Sequence, residues 1–361
     1  MAGAGRSFHL PGGVYNATPG EILFGAGTFA RVGEVIERLG AKRAIVISTP
    51  GRSGLADRTA ALLGERCAGI IPEAVSQVPI ELARRGRERA RELGADCLVS
   101  VGGGASVGLG KGIALEFPVP VIAIPTTYSG SEMTGFCGIT INGVKRMHTS
   151  LNMLAATVIY DPELSVGLPL DVSMASAMNA LAHCLDVVYV RTASPTMLAA
   201  AYEGAGAIVD AMRRVARDPA DIAARTDLLY GAYLGGAALT GGFALQHGVA
   251  HVLGGSFGVS HGLSHALVLP HVAAYNASFA PAELARLAAT FGGRSFAAAT
   301  FDLLGETGLP TSLQALGFDK ALLDDAARIT VETDHGLNPG PVTFEAVRGL
   351  LDDAYHGRRP S

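Results

Sequence analysis

The chain changes texture once, near residue 162, and that single change limits the folds open to it. Upstream, the runs 43–49 (RAIVIST), 96–101 (DCLVSV) and 119–124 (VPVIAI) are short, apolar and rich in β-branched residues. Such continuous runs belong to strands buried on both faces. Each ends in a Gly- or Thr-rich loop, and 83–93 (ARRGRERAREL) reads as a charged helix face between two of them. Strand, polar loop, helix, strand is the order of a parallel, doubly wound sheet. From Asp161-Pro162-Glu163-Leu164 onward the strand-like runs stop. Alanine-rich helical segments take over at 171–190, 196–217, 219–240, 242–256, 262–280, 281–305 and 320–333. We therefore expect an α/β Rossmann-like domain over 1–162 and an all-α domain over 163–361, with the ligand cleft between them.

Bulk properties exclude several classes. At 361 residues the chain exceeds a single core. Hydrophobic residues make up 49% and charged ones 17%, enough to bury a large core without disulfides. A net charge of −4 with no basic cluster argues against nucleic acid as a partner. Cys67, Cys97, Cys137 and Cys184 are scattered with no metal spacing, as reduced thiols of a cytoplasmic protein would be. The opening MAGAGRSFHLPGG has no apolar export signal, and no apolar run reaches a membrane span.

Gly102-Gly103-Gly104-Ala105-Ser106 follows the 96–101 run and opens a helix through Lys111. Glycines there let backbone N–H groups and a helix N-terminus meet a pyrophosphate. Thr126, Thr127, Tyr128 and Ser131 follow the 119–124 run, where hydroxyls suit ribose, phosphate or amide contacts. Gly25-Ala26-Gly27-Thr28-Phe29-Ala30 matches a dinucleotide fingerprint only superficially, since no acid follows at the ribose position. Ser48 and Thr49 stand there instead, with Arg52 nearby, so NADPH is expected alongside NADH as a cofactor.

Half of the ten histidines fall between His247 and His271, and the helix upstream carries Asn179 and His183. Residues four apart share a helix face, so that amide and imidazole point the same way. If His247 and His261 join them, three imidazoles meet an amide where a tightly held cation prefers a carboxylate. His265 and His271 read as packing residues.

The ordered set GGGAS…K (102–111), PTTYSGSEMT (125–134), VIYDPEL (158–164), NALAH (179–183) and HGVAHVLGGSFGVSHGLSHALVLPHV (247–272) resembles the iron-containing alcohol dehydrogenase family over nearly the whole chain. The resemblance implies a dehydroquinate synthase-like fold, a nicotinamide cofactor in the cleft and a homodimer. It places the family's metal ligands on Asn179, His183, His247 and His261, with His251 a further cleft histidine. Within the family the chain is most similar to the maleylacetate reductases: it has Gly108 where metal-dependent members carry Asp, a shortened PTT loop with Tyr128, and Asn179 for a ligand Asp. Gly340 stands where those reductases tend to have Arg, Ala105 replaces a Ser, and Ala155 replaces a Pro.

The resemblance implies NADH- or NADPH-dependent reduction of the C=C bond of maleylacetate, a small dicarboxylate, to 3-oxoadipate. His183, His247, His251 and His261 with Asn179 would stabilise an enolate oxygen and supply a proton, without a metal requirement. Lys145, and more weakly His335, would hold a substrate carboxylate. The alternatives are a metal-dependent alcohol or aldehyde reductase keeping a cation on His183, His247 and His261, a reductase of another oxo-acid, and a nucleotide-binding protein without turnover.

Overall fold

The computed structural model describes residues 20–361, so the opening segment read above for an export signal lies outside the described residues. The first half is a six-stranded parallel sheet with order β1-β8-β5-β4-β2-β3. Its strands are β1 (Glu21–Phe24), β2 (Ala44–Ile47), β3 (Cys67–Ile71), β4 (Cys97–Gly102), β5 (Val121–Pro125) and β8 (Thr157–Tyr160). Helices α1 (Val32–Arg38), α2 (Ser53–Leu63), α3 (Ile80–Glu92) and α4 (Gly104–Ala114) make the crossovers. Alternate strand residues serve opposite faces, as a period of two demands. Val46, Val99 and Val101 pack with α1 and α2, while Ile45, Ile47 and Leu98 pack with α3 and α4. The central strands β2, β4 and β5 are buried throughout, whereas the edge strands β1 and β3 are partly exposed.

An antiparallel hairpin of β6 (Phe136–Ile141) and β7 (Val144–Thr149) interrupts the α/β order. Its turn is Asn142-Gly143, both at positive φ (51° and 77°), the pair that a tight hairpin turn requires. After β8, Asp161 ties two regions together. Its Oδ1 accepts the Glu163 N–H of the following turn, and its Oδ2 accepts the Phe29 N–H beyond β1. The Gly25–Ala30 loop is thus held against the sheet edge.

The second half is helical among the described residues: α5 (Leu170–Val187), α6 (Pro195–Arg217), α7 (Ile222–Leu239), α8 (Leu245–Phe257), α9 (His261–Asn276), α10 (Pro281–Ala288), α11 (Phe296–Glu306), α12 (Leu323–Glu332) and α13 (Phe344–His356). The stretch expected as one helix over 281–305 is two, because Gly292 and Gly293 at φ 71° and 82° end the first. Small residues bring the helices close: a Cβ on Gly235 of α7 would lie 2.9 Å from the Ala180 carbonyl oxygen of α5. No described helix is long and apolar enough to cross a membrane.

Candidate active site

A cavity of about 580 Å³ lies between the carboxyl ends of the strands and the helical half. Its sheet-side wall begins at the glycine turn after β4. Gly102 has φ 137°, and a Cβ there would strike the Ser106 hydroxyl at 2.6 Å. A Cβ on Gly103 would meet Thr127 Cγ2 at 3.0 Å, so the turn and the 125–131 loop nest against each other. Gly104 and Ala105 open onto the cavity at the N-terminus of α4, and Thr127, Ser129 and Ser131 face it from the neighbouring loop. Backbone N–H groups at a half-exposed glycine turn fit a pyrophosphate.

Several residues read as cofactor contacts have other partners. Lys111 is 1% exposed and donates to Thr134 Oγ1 (2.9 Å), the Phe136 carbonyl (3.1 Å) and the Ser131 carbonyl. Burial pushes its ammonium down to about 8. It braces the 131–136 loop from behind. Tyr128 is fully buried; its N–H donates to Ser176 Oγ, and its hydroxyl accepts from Arg225, itself fully buried. Ser48, Ser106 and Thr126 are buried too. With Gly102, Gly103 and Thr49, these residues stand outside the cavity wall, which they shape from behind.

The helical wall carries the histidines in pairs four apart. Helix α5 presents Asn179 and His183, α8 presents His247 and His251, and α9 begins with His261 and places His265 one turn on. Asn179 Nδ2 donates to the Ser129 carbonyl (3.3 Å), fastening α5 to the cofactor loop, while its Oδ1 has no partner. Gly130 passes so close that a Cβ there would lie 2.8 Å from His183 Cε1, and its φ of 69° independently requires glycine. The His183 and His247 rings stack at 5.2 Å. Burial, with His247 and His261 nearby, holds His183 well below the ordinary imidazole range.

Asp186 is the functional residue that the sequence reading missed. Fully buried on α5, it accepts His247 Nδ1–H at 2.7 Å through Oδ2. The same oxygen accepts the backbone N–H groups of Ala244 (2.9 Å) and His247 (3.1 Å), capping α8 from another helix. Tyr189 donates to Oδ1 at 2.9 Å. His247 Nε2, the other ring nitrogen, has no protein partner. The one signal was its spacing, three residues after His183 on the same face.

Lys145, on β7, reaches the cavity beside His251 and His261. Among the described residues no carboxylate pairs with it, and burial lowers its pKa. His265, read as a packing residue, is the hub of the cluster, with its ring 4.7 Å from both His247 and His261. His335 lies behind Phe243 and outside the lining. Gly340 lies outside it as well, and a Cβ there would strike the Phe279 ring at 2.5 Å.

Two family models cover the chain, iron-containing alcohol dehydrogenase over residues 19–162 and the family's C-terminal domain over 173–355. The chain belongs to the iron-containing alcohol dehydrogenase family. It is an NAD(P)H-dependent oxidoreductase. It is 44% identical over 349 residues to maleylacetate reductase of Burkholderia cepacia, covering 96% of this chain and 99% of that one. Maleylacetate reductase of Rhizobium sp. strain MTP-10005 is 43% identical over 348 residues, with the same coverage. The crystal structure of maleylacetate reductase from Agrobacterium tumefaciens superposes with a TM-score of 0.91 at 44% identity, covering 96% of this chain and 99% of that one.

The family description raises the fit of iron to this site. Gly108 has no room for an acid, since even a Cβ would lie 2.7 Å from Val78 Cγ2. At Asn179 the donor is a neutral amide. Among the described residues, the three histidines that each bring one ring nitrogen within 4.8 Å of the others' are His251, His261 and His265. That is not the set of Asn179, His183, His247 and His261 to which the family resemblance points, and this set does not fit a tightly held iron.

Proposed function

We propose that the protein is a maleylacetate reductase, using NADH or NADPH to reduce the substrate's C=C bond and form 3-oxoadipate. The observation that carries this reading is the cavity wall: an Asp186-backed His247 and an unpaired Lys145 face the glycine turn of α4 across one space. The likeness to maleylacetate reductases over nearly the full length supports it.

Gly104 and Ala105 at the N-terminus of α4, with Thr127, hold the dinucleotide's phosphates. When bound, the reduced nicotinamide supplies the hydride that adds to the alkene carbon β to the ketone. The alkene electrons then move toward the ketone oxygen, and the carbon next to the ketone takes up a proton. His247 is placed to give that proton from Nε2. Asp186 fixes hydrogen on Nδ1 and offsets the positive charge that the doubly protonated ring carries. His183, kept neutral by burial, has one N–H for the developing oxyanion. Asn179 holds the loop against that wall. Lys145 pairs with one substrate carboxylate, and His251 and His261 flank it.

On this reading the nicotinamide supplies the hydride and side chains of the chain itself supply the proton and hold the charges, so turnover does not require a metal. The test is NADH oxidation by chelator-treated protein. Maleylacetate should be reduced at an undiminished rate, and simple aldehydes far more slowly. A strict requirement for added Fe²⁺ or Zn²⁺, or a preference for aldehydes, overturns the proposal.

A further inference from the structure

His251, His261 and His265 converge from two helices onto one point at the cavity's edge. One ring nitrogen from each lies within 4.8 Å of the corresponding nitrogens of the other two. Ligand nitrogens of a tetrahedral cation at 2.0–2.1 Å sit about 3.4 Å apart, so small side-chain rotations close the set. The two rings nearer solvent can supply that motion, since His261 is exposed and His251 half-buried. His265 is fully buried, and its Nε2 has no partner. A buried ring nitrogen without a partner is uncommon unless something else binds it. On its other side the Gln246 amide lies 3.5 Å from Nδ1, too far to fix the tautomer.

We propose that His251, His261 and His265 form a binding site for one borderline transition-metal cation, such as Zn²⁺, Co²⁺ or Ni²⁺, and that a cation held there obstructs the substrate cavity. Three neutral imidazoles without a carboxylate suit these cations and not Mg²⁺ or Ca²⁺. The fourth position opens on the cavity that His251 and His261 line. Lys145 faces the same space, and its ammonium opposes the cation. The site shares His261 with the family's set and differs from it in the other two histidines.

Co²⁺ is the probe, titrated into chelator-treated full-length protein and followed by its visible d–d absorbance. We expect one tetrahedral Co²⁺ per chain, displaced by Zn²⁺. His265→Gln and His251→Gln should each weaken it about tenfold or more, while Asn179→Ala and His183→Gln leave it within about twofold. Lys145→Met should tighten it severalfold by removing the opposing charge. Far-UV circular dichroism verifies that His265→Gln folds; if it does not, the half-buried His251→Gln decides. Absence of a saturable band, a band that survives His251→Gln, or one abolished by His183→Gln overturns the site. Inhibition is read separately: one equivalent of Zn²⁺ should lower maleylacetate turnover, and bound Zn²⁺ without inhibition overturns the obstruction. The absorbance titration reads the cation whether or not maleylacetate is the substrate.

Discussion

At the scale of single residues, Asp186 organises the most. One carboxylate caps α8, orients His247 and receives the Tyr189 hydroxyl, so tautomer and helix position depend on the same atoms. Asp186→Asn keeps the size and removes the charge, presenting an amide N–H to some of these donors. The expected outcome is a fall in kcat of roughly 10²–10⁴, the range for losing a positioned acid. KM for NADH should change little, because the glycine turn lies on the opposite wall. A changed pH profile of kcat separates loss of proton transfer from simple loosening; an unchanged kcat removes His247 as the proton donor. Asp186 was hard to see in the sequence because one acid within an alanine-rich helix reads as an ordinary exposed charge, and only folding reveals that it is buried. The opposite error fell on Lys111 and Tyr128. A lysine after a glycine turn and a tyrosine in a hydroxyl-rich loop have the residue types of a phosphate site, but burial directs both side chains to protein partners.

Among the elements, close approach does the positioning. Gly236 on α7 meets the Gly130 backbone so tightly that a Cβ would lie 2.7 Å from its carbonyl oxygen and 2.8 Å from its Cα. Backbone cannot rotate aside as a side chain can. Gly236→Ala should therefore push the 125–131 loop away from α7, lowering stability by about 1–3 kcal/mol. It should also raise KM for NADH, since Thr127 and Ser129 move with the loop. Denaturant melts and NADH kinetics together check this; a variant as stable as the parent refutes the contact. The sheet's central strands were legible because continuous apolar runs have one buried solution, and β2, β4 and β5 fall within one or two residues of the runs at 43–49, 96–101 and 119–124. Edge strands β1 and β3 carried no such run because one side of each faces solvent. The β6–β7 hairpin was missed although Asn142-Gly143 marks its turn, since a βαβ reading leaves no place for an antiparallel pair. Helices α5 to α9 were legible from their alanine-rich lengths. Their crossing at the histidines was not, because distances between helices are set by packing contacts such as Gly235 against Ala180.

For the molecule as a whole, burying so many imidazoles makes the fold sensitive to acid. His183, His265 and His271 are 3%, 0% and 4% exposed, and burial lowers the pKa of each. His271 lies apart from the cavity against Phe301, with its Nε2 unpartnered, and is pushed down to about 4. In the unfolded chain a histidine titrates near 6.5. Between those values the unfolded state binds a proton that the folded state does not. Stability is therefore greatest above about pH 6.5, and falls as the pH drops toward about 4. For His271 alone the loss amounts to about 2 kcal/mol at pH 5. His183 and His265 add losses of the same sign, so the free energy of unfolding should decline steeply between pH 7 and pH 5. Replacing His271 with leucine removes one of these titrations without touching the cavity. Urea melts at pH 7 and pH 5 should then show the His271→Leu protein losing less stability than the parent, by about 2 kcal/mol. Equal losses in the two proteins would mean that His271 already carries its proton in the fold, and the acid sensitivity would have to come from the cluster around His265.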